Sequence, residues 1–132
     1  MANKKRDPDY TLNIFHHYDD KTKRNVVVFL VQTTKIFVSF QYEILLEEEI
    51  VGDKINLRII GLHIPELLMP HTGPAQGRCD YSNLDGSYKL IVTKQDKTVN
   101  EFTVQISPTK IDIIHKPRTS FIIVSSDPVS LS

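Results

Sequence analysis

The sequence has no tryptophan and a single cysteine, Cys79. One thiol excludes an intramolecular disulfide and any zinc site built on several thiolates. Long apolar runs are missing too. The longest spans residues 26–31, whereas a membrane-spanning helix needs about twenty. Signal-peptide and transit-peptide patterns are absent, which fits a cytoplasmic chain or an exported one whose leader has been removed. Nor is there an excess of one charge sign. Sixteen Lys and Arg balance sixteen Asp and Glu, and residues 1–66 carry nine basic against ten acidic groups. Nucleic acids and anionic membranes select a basic face, so no nucleic-acid partner and no membrane insertion are expected. What is there is ample apolar material, 40% of 132 residues. A chain of this length buries about two thirds of its unfolded surface. One domain over 1–132 is expected, with 1–8 and 127–132 frayed.

The apolar residues alternate. Ile36, Val38, Phe40, Tyr42, Ile44 and Leu46 occupy even positions, while Ser39, Gln41, Glu43 and Glu47 occupy odd ones. A period of two predicts a strand with one buried and one wet face. Ile55, Leu57 and Ile59 repeat the pattern, as do Tyr88, Leu90 and Val92, and then Phe102, Val104 and Ile106. Further strands are predicted over 9–16, 25–32, 110–115 and 119–125. Residues 26–31 are apolar at every position, which predicts an interior strand covered on both faces. Residues 43–51 (EILLEEEIV) have helical propensity, but the alternation entering them and the Gly52-Asp53 turn favour a strand. A single helical turn fits 65–70, with Pro65 at its first position.

Turn geometry predicts register. A two-residue turn at Gly52-Asp53 sets Ile50 opposite Ile55, Glu47 opposite Arg58 and Leu46 opposite Ile59. It also sets Glu48 on the inward side opposite Leu57, a misfit that implies a bulge or an end overhanging the core. In the second hairpin the apolar residues share a face only if the loop has an odd length. A five-residue loop over 95–99 pairs Val92 with Phe102 and Leu90 with Val104.

The segment Leu84-Asp85-Gly86-Ser87-Tyr88-Lys89-Leu90 resembles the corner before the sixth strand of immunoglobulin-like sandwiches, and residues 83–106 are similar to bacterial immunoglobulin-like surface modules. The resemblance implies that the Tyr88 hydroxyl turns back onto upstream backbone, with Leu90 standing where those domains carry the second cysteine. An ordinary turn before a half-buried tyrosine fits the same residues. The lack of tryptophan and of a cysteine pair departs from antibody-type domains.

Chemistry-bearing residues are sparse. His16 and His17 are adjacent, so on a strand they point to opposite faces. His63, His71 and Cys79 match no zinc spacing, and Cys79, flanked by Arg78 and Asp80, reads as a small core hydrophobe rather than an activated nucleophile. Glu47, Glu48 and Glu49 read as solvated carboxylates at a hairpin end. Residues 73–77 lack the lysine and glycine spacing of a phosphate loop. No catalytic residue, metal or cofactor is assigned. The longest interval without alternation, 63–80, carries Pro65, Pro70 and Pro74, and loops of such length are often functional. Its candidate contact residues are His63, Leu67, Leu68, Met69, His71 and Gln76. The three central apolar residues plug an end of the core or form an exposed contact, and the polar rim around His63, His71 and Gln76 carries any contact role.

The fold expected from these patterns is all-β: an antiparallel two-sheet sandwich, immunoglobulin-like, with extra C-terminal strands, or alternatively a closed barrel. The function expected is a non-catalytic module for protein interaction or structural support, its partner another protein or a second copy. The alternative is a small-ligand carrier using a barrel interior.

Overall fold

Alternating polar and apolar residues become nine β-strands, and no helix occurs among the described residues. The computed structural model describes residues 8–64 and 70–131. The strands are β1 (Tyr10–Asp19), β2 (Arg24–Phe37), β3 (Glu43–Val51), β4 (Lys54–His63), β5 (Gly73–Tyr81), β6 (Gly86–Thr93), β7 (Val99–Ile106), β8 (Ile111–His115) and β9 (Ile122–Ser125).

They form one sheet in the order β8-β7-β6-β4-β3-β5-β2-β1-β9. Between β3 and β5 only Glu43 and Gln76 are paired, so the sheet divides there into two halves. Their inner faces share one core. It holds Leu12 and Ile14 of β1, Phe29 and Val31 of β2, Ile55, Leu57 and Ile59 of β4, Leu90 of β6, and Phe102 and Val104 of β7. The two outer edges approach each other and nearly close the sheet into a barrel. Buried Asn100 Oδ1 accepts hydrogen bonds from Ser120 Oγ (2.9 Å) and the Phe121 N–H (3.0 Å). His16 Nε2 lies 2.8 Å from the Ser107 carbonyl oxygen, and Lys94 Nζ lies 3.0 Å from Asp9 Oδ2. The sandwich and the barrel are thus two descriptions of one continuous, folded-over sheet. Five of its eight pairings are antiparallel; β1–β9, β3–β5 and β4–β6 are parallel, where antiparallel pairing throughout was expected.

The first hairpin has its expected register, including Glu48 opposite Leu57. The irregularity lies elsewhere: Leu46 faces Ile59 but Leu45 faces Gly61, so Ile60 is the extra residue. Past Leu46 every β3 residue is exposed, and that end of β3 overhangs the core. The second hairpin keeps an odd five-residue loop but spans 94–98, pairing Leu90 with Phe102 and Val92 with Asn100. The loop closes where the Lys94 N–H donates to the Thr98 carbonyl (3.0 Å). Asp96 Oδ1 accepts from the Thr98 N–H (2.9 Å), and Lys97 takes a left-handed conformation (φ 70°).

The even-numbered pattern from Ile36 to Leu46 is not one strand. β2 runs on to Phe37, the chain turns through 38–42, and β3 starts at Glu43. The inward phase of β2, set by Val27, Phe29 and Val31, carries through to Phe37. Ile36 and Val38, expected to be buried, are 53% and 75% exposed. A register shift between Gln32 and Ile36 is filled by the Thr33 hydroxyl, which accepts from the Ala75 N–H and donates to the Lys35 carbonyl. Tyr42 then packs its ring on Phe37 at 4.8 Å between centroids.

β2 is covered on both faces, as its unbroken apolar run requires. Its outer residues Val28 and Leu30 join Phe15 in a second buried cluster, against which Val26, Val129 and Leu131 pack. The segment after β9, read as frayed, therefore supplies the cover. The largest departure is β5, whose residues read as irregular chain. Its inward positions Gly73, Ala75, Gly77 and Cys79 are small, so they carry little hydrophobic signal. At Gly77 the reason is that β3 crosses close by: a Cβ there would stand 2.6 Å from the Ile44 carbonyl oxygen.

Candidate functional site

The strands carry some of the candidate contact residues into one place. His63, at the exposed end of β4, pairs with Glu43, and Glu43 pairs with Gln76. Gln76 in turn faces Gln32. His63, Glu43, Gln76 and Gln32 thus lie in register across β4, β3, β5 and β2, a polar row through the narrow junction of the two halves. His71 is exposed. Its N–H donates to the Ser39 carbonyl (3.4 Å), and its ring lies over Gly73, where a Cβ would meet Nε2 at 2.8 Å. Leu67, Leu68 and Met69, and with them the helical turn expected at 65–70, lie outside the described residues.

From that row β3 and β5 run in the same direction but are unpaired beyond Glu43–Gln76. They still touch: a Cβ on Gly77 would stand 2.6 Å from the Ile44 carbonyl oxygen and 3.0 Å from Leu46 Cδ1. In the β3–β4 hairpin the pair next to the turn, Val51 with Lys54, is hydrogen-bonded, and bonded and non-bonded pairs then alternate. The backbone groups of Leu46, Glu48 and Ile50 therefore point away from β4. On β5 the Gln76 N–H donates to the Tyr42 carbonyl (3.3 Å), which sets the backbone groups of Arg78 and Asp80 to point the same way as that of Gln76. The seam between β3 and β5 is thus bordered by two strand edges without ladder partners.

Two buried groups of β5 lie beside this seam. Cys79 is buried, Tyr81 packs edge-on against Phe29 at 5.4 Å between centroids, and the Tyr81 hydroxyl is buried with no hydrogen-bond partner. Burial pushes the Cys79 thiol far above its ordinary pKa, and the Glu48 carboxylate adds to the shift. The Tyr81 phenol is raised for the same two reasons in the same order. Glu48 itself is exposed. Cys79 is poorly suited to nucleophilic chemistry, because a raised thiol pKa keeps the thiolate scarce.

Glu47, Glu48, Glu49, Asn56, Arg58 and Thr93 line a shallow depression of about 300 Å³, within which Glu47 is paired with Arg58. Arg78 and Asp80 form a two-point ion pair at 2.7 and 2.8 Å, which raises the guanidinium pKa. Among the described residues no group of three or more His, Cys, Asp and Glu side chains is placed to hold a metal ion, and no helix is long and apolar enough to cross a membrane.

Glu48, Cys79 and Tyr81 were not among the candidate contact residues. One signal in the sequence pointed to them: Glu48 falls on the inward side of a hairpin whose other inward residues are apolar. No family model, no curated protein and no solved structure matches the chain.

Proposed function

We propose that the chain is a non-catalytic module for protein contact or structural support, with the β3–β4 hairpin as its contact surface. One observation carries this reading. Twelve large hydrophobic residues are exposed among those described, and six of them, Leu45, Ile50, Val51, Ile60, Leu62 and Ile64, lie on this hairpin or directly after it. Scattered exposed apolar residues need no explanation, but half of the exposed set on one hairpin favours a covering partner; Ile50 and Leu62 lie on one of its faces and Leu45 and Val51 on the other. The polar row of Glu43, His63 and Gln76 borders it and suits the polar rim of an interface. Against a carrier stands the interior, filled by Phe29, Phe102, Leu12, Ile14, Ile55 and Leu57. The immunoglobulin-like likeness is supported by Tyr88, whose hydroxyl donates to the Asp85 carbonyl (3.3 Å) and accepts from the Asp85 N–H (3.2 Å). The parallel β4–β6 pairing weighs the other way.

The test is site-specific photo-crosslinking in the native cells, with the probe at Ile60 and, as control, at exposed Ile114 of β8. A discrete crosslinked protein from position 60 and none from position 114 is the expected result. No adduct from position 60, or the same adducts from both, rejects the hairpin as the contact surface.

A further inference from the structure

We infer that the outer face of β1 and β2 is a docking groove for an extended segment of a partner protein with branched apolar side chains two residues apart, and that residues 126–131 lie in it as a displaceable strap. The groove belongs to the other half of the sheet from the β3–β4 hairpin, so it is a second surface, independent of the first. Register lays its floor. On one side of β2, Phe15 pairs with Val28 and Asn13 with Leu30. On the other side, Asp80 pairs with Val28 and Arg78 with Leu30. Phe15, Val28 and Leu30 form a buried apolar cluster separate from the main core, bordered by Asn13 on β1 and by the Arg78–Asp80 ion pair on β5. The strap residues Val129 and Leu131 pack on this floor. Residues two apart project to one side of an extended chain, so the seated pattern Val129-Ser130-Leu131 states the chemistry that the floor accepts.

The strap is lightly held. Before it, β9 is fixed by ladder pairs with β1 from Tyr10–Ile122 to Asn13–Ser125. Residues 126–131 lie outside any strand, and among the described residues they make no main-chain-to-main-chain hydrogen bond. One side chain tethers them to the body: Asn13 Nδ2 donates to the Asp127 carbonyl (3.0 Å). Val129 and Leu131 stay half-buried, while Phe15, Val28 and Leu30 beneath them are buried. A segment that buries its apolar side chains more fully, or adds main-chain bonds along the groove, therefore outcompetes the strap. Val129 follows closely on the tethered Asp127, so the strap acts at an effective concentration on the order of millimolar. It sets an affinity threshold that keeps weak apolar segments out and admits matched ones.

The probe is a fluorescein-labelled peptide of residues 125–131, SSDPVSL. Its control, SSDPVLS, has the same composition but adjacent apolar residues, which project to opposite sides. The receptors are the whole chain as wild type and with Val129→Ser and Leu131→Ser combined. Saturable binding to the double variant is expected in fluorescence anisotropy, with shifts in the Val28 and Leu30 methyl resonances. The wild type should bind about tenfold or more weakly, because the tethered strap competes. The control should bind about fivefold or more weakly, for the loss of one half-buried apolar side chain. In the wild type, about 10 mM peptide should move the Val129 and Leu131 methyl resonances to unfolded-chain positions. That readout carries the test if the double variant unfolds; methyls that stay in place overturn the inference. So does any of three other results: no binding to the double variant at about 1 mM peptide, equal affinity for both receptors or of both peptides, or shifts that spare Val28 and Leu30. A wild-type dimer by light scattering that the double variant loses assigns the groove to a second copy's tail and overturns it too.

Discussion

Gly77 shows how closely one residue's size is tied to the architecture. At Gly77 a methyl group meets main chain, the Ile44 carbonyl oxygen, which has no rotamer to move aside; at Gly61, in the β4 bulge, it meets nothing within 4 Å. Gly77→Ala is therefore expected to cost about 1–3 kcal/mol as overpacking, and Gly61→Ala to stay within about 0.5 kcal/mol, both read from urea midpoints. Cys79 makes a second prediction. Its folded pKa is raised, so the folded state holds its proton more tightly than the unfolded one. The stabilisation is complete below the unfolded thiol pKa of about 8.5 and is lost as pH rises beyond it. Denaturant midpoints should be flat in this respect up to about pH 8 and fall above it, with a shallower fall in Cys79→Ala. The Tyr81 phenol contributes the same sign at higher pH.

At the level of elements, the segment after β9 acts as a cover for β2. Phe15, Val28 and Leu30 are at most 4% exposed because Val129 and Leu131 lie against them. Replacing both Val129 and Leu131 by Ser should lower stability by about 1–3 kcal/mol and raise the binding of a hydrophobic dye. Strands with branched or aromatic inward residues were legible in the sequence. β4, β6 and β7 follow from Ile55, Leu57, Leu90, Val92, Phe102 and Val104, all buried. β5 was not legible, since close crossing by β3 demands Gly77 where a periodicity argument looks for Val or Ile. The strand read through Ile36 failed for the opposite reason. Its alternation is regular but spans a turn, and the phase imposed by Phe29 and Val31 puts Phe37 inside instead. Of the candidate site, the row joining His63 to Gln76 needed the pairing of three strands, which local sequence does not encode.

For the whole molecule, closure depends on a few polar contacts rather than on a ladder. Asn100 is the one buried polar residue among those described, and its Oδ1 holds the Phe121 N–H and the Ser120 hydroxyl. Asn100→Ala leaves the Phe121 N–H without this acceptor, while the Ser120 hydroxyl keeps the Ile122 carbonyl, and is expected to cost about 1–3 kcal/mol. Amide exchange should then quicken in β1 and β9 before it does in the β3–β4 hairpin.

The parallel pairing of β1 with β9 orders events in time. Tyr10 lies beside Ile122 and Asn13 beside Ser125, so a nascent chain that has already made its first strand must keep one side of it unpaired until almost everything else has left the ribosome. Long-range parallel contacts are slow to form, because the loop-closure entropy is lost before any contact compensates for it. During that wait the edge of β1 that β9 will cover stays unpaired. The growing chain thus carries an open strand edge, a template for pairing with other chains, until synthesis is nearly done. Truncation before residue 122 should convert a soluble product into an aggregating one, while truncation after 125 should leave a folded protein that lacks only its outer cover.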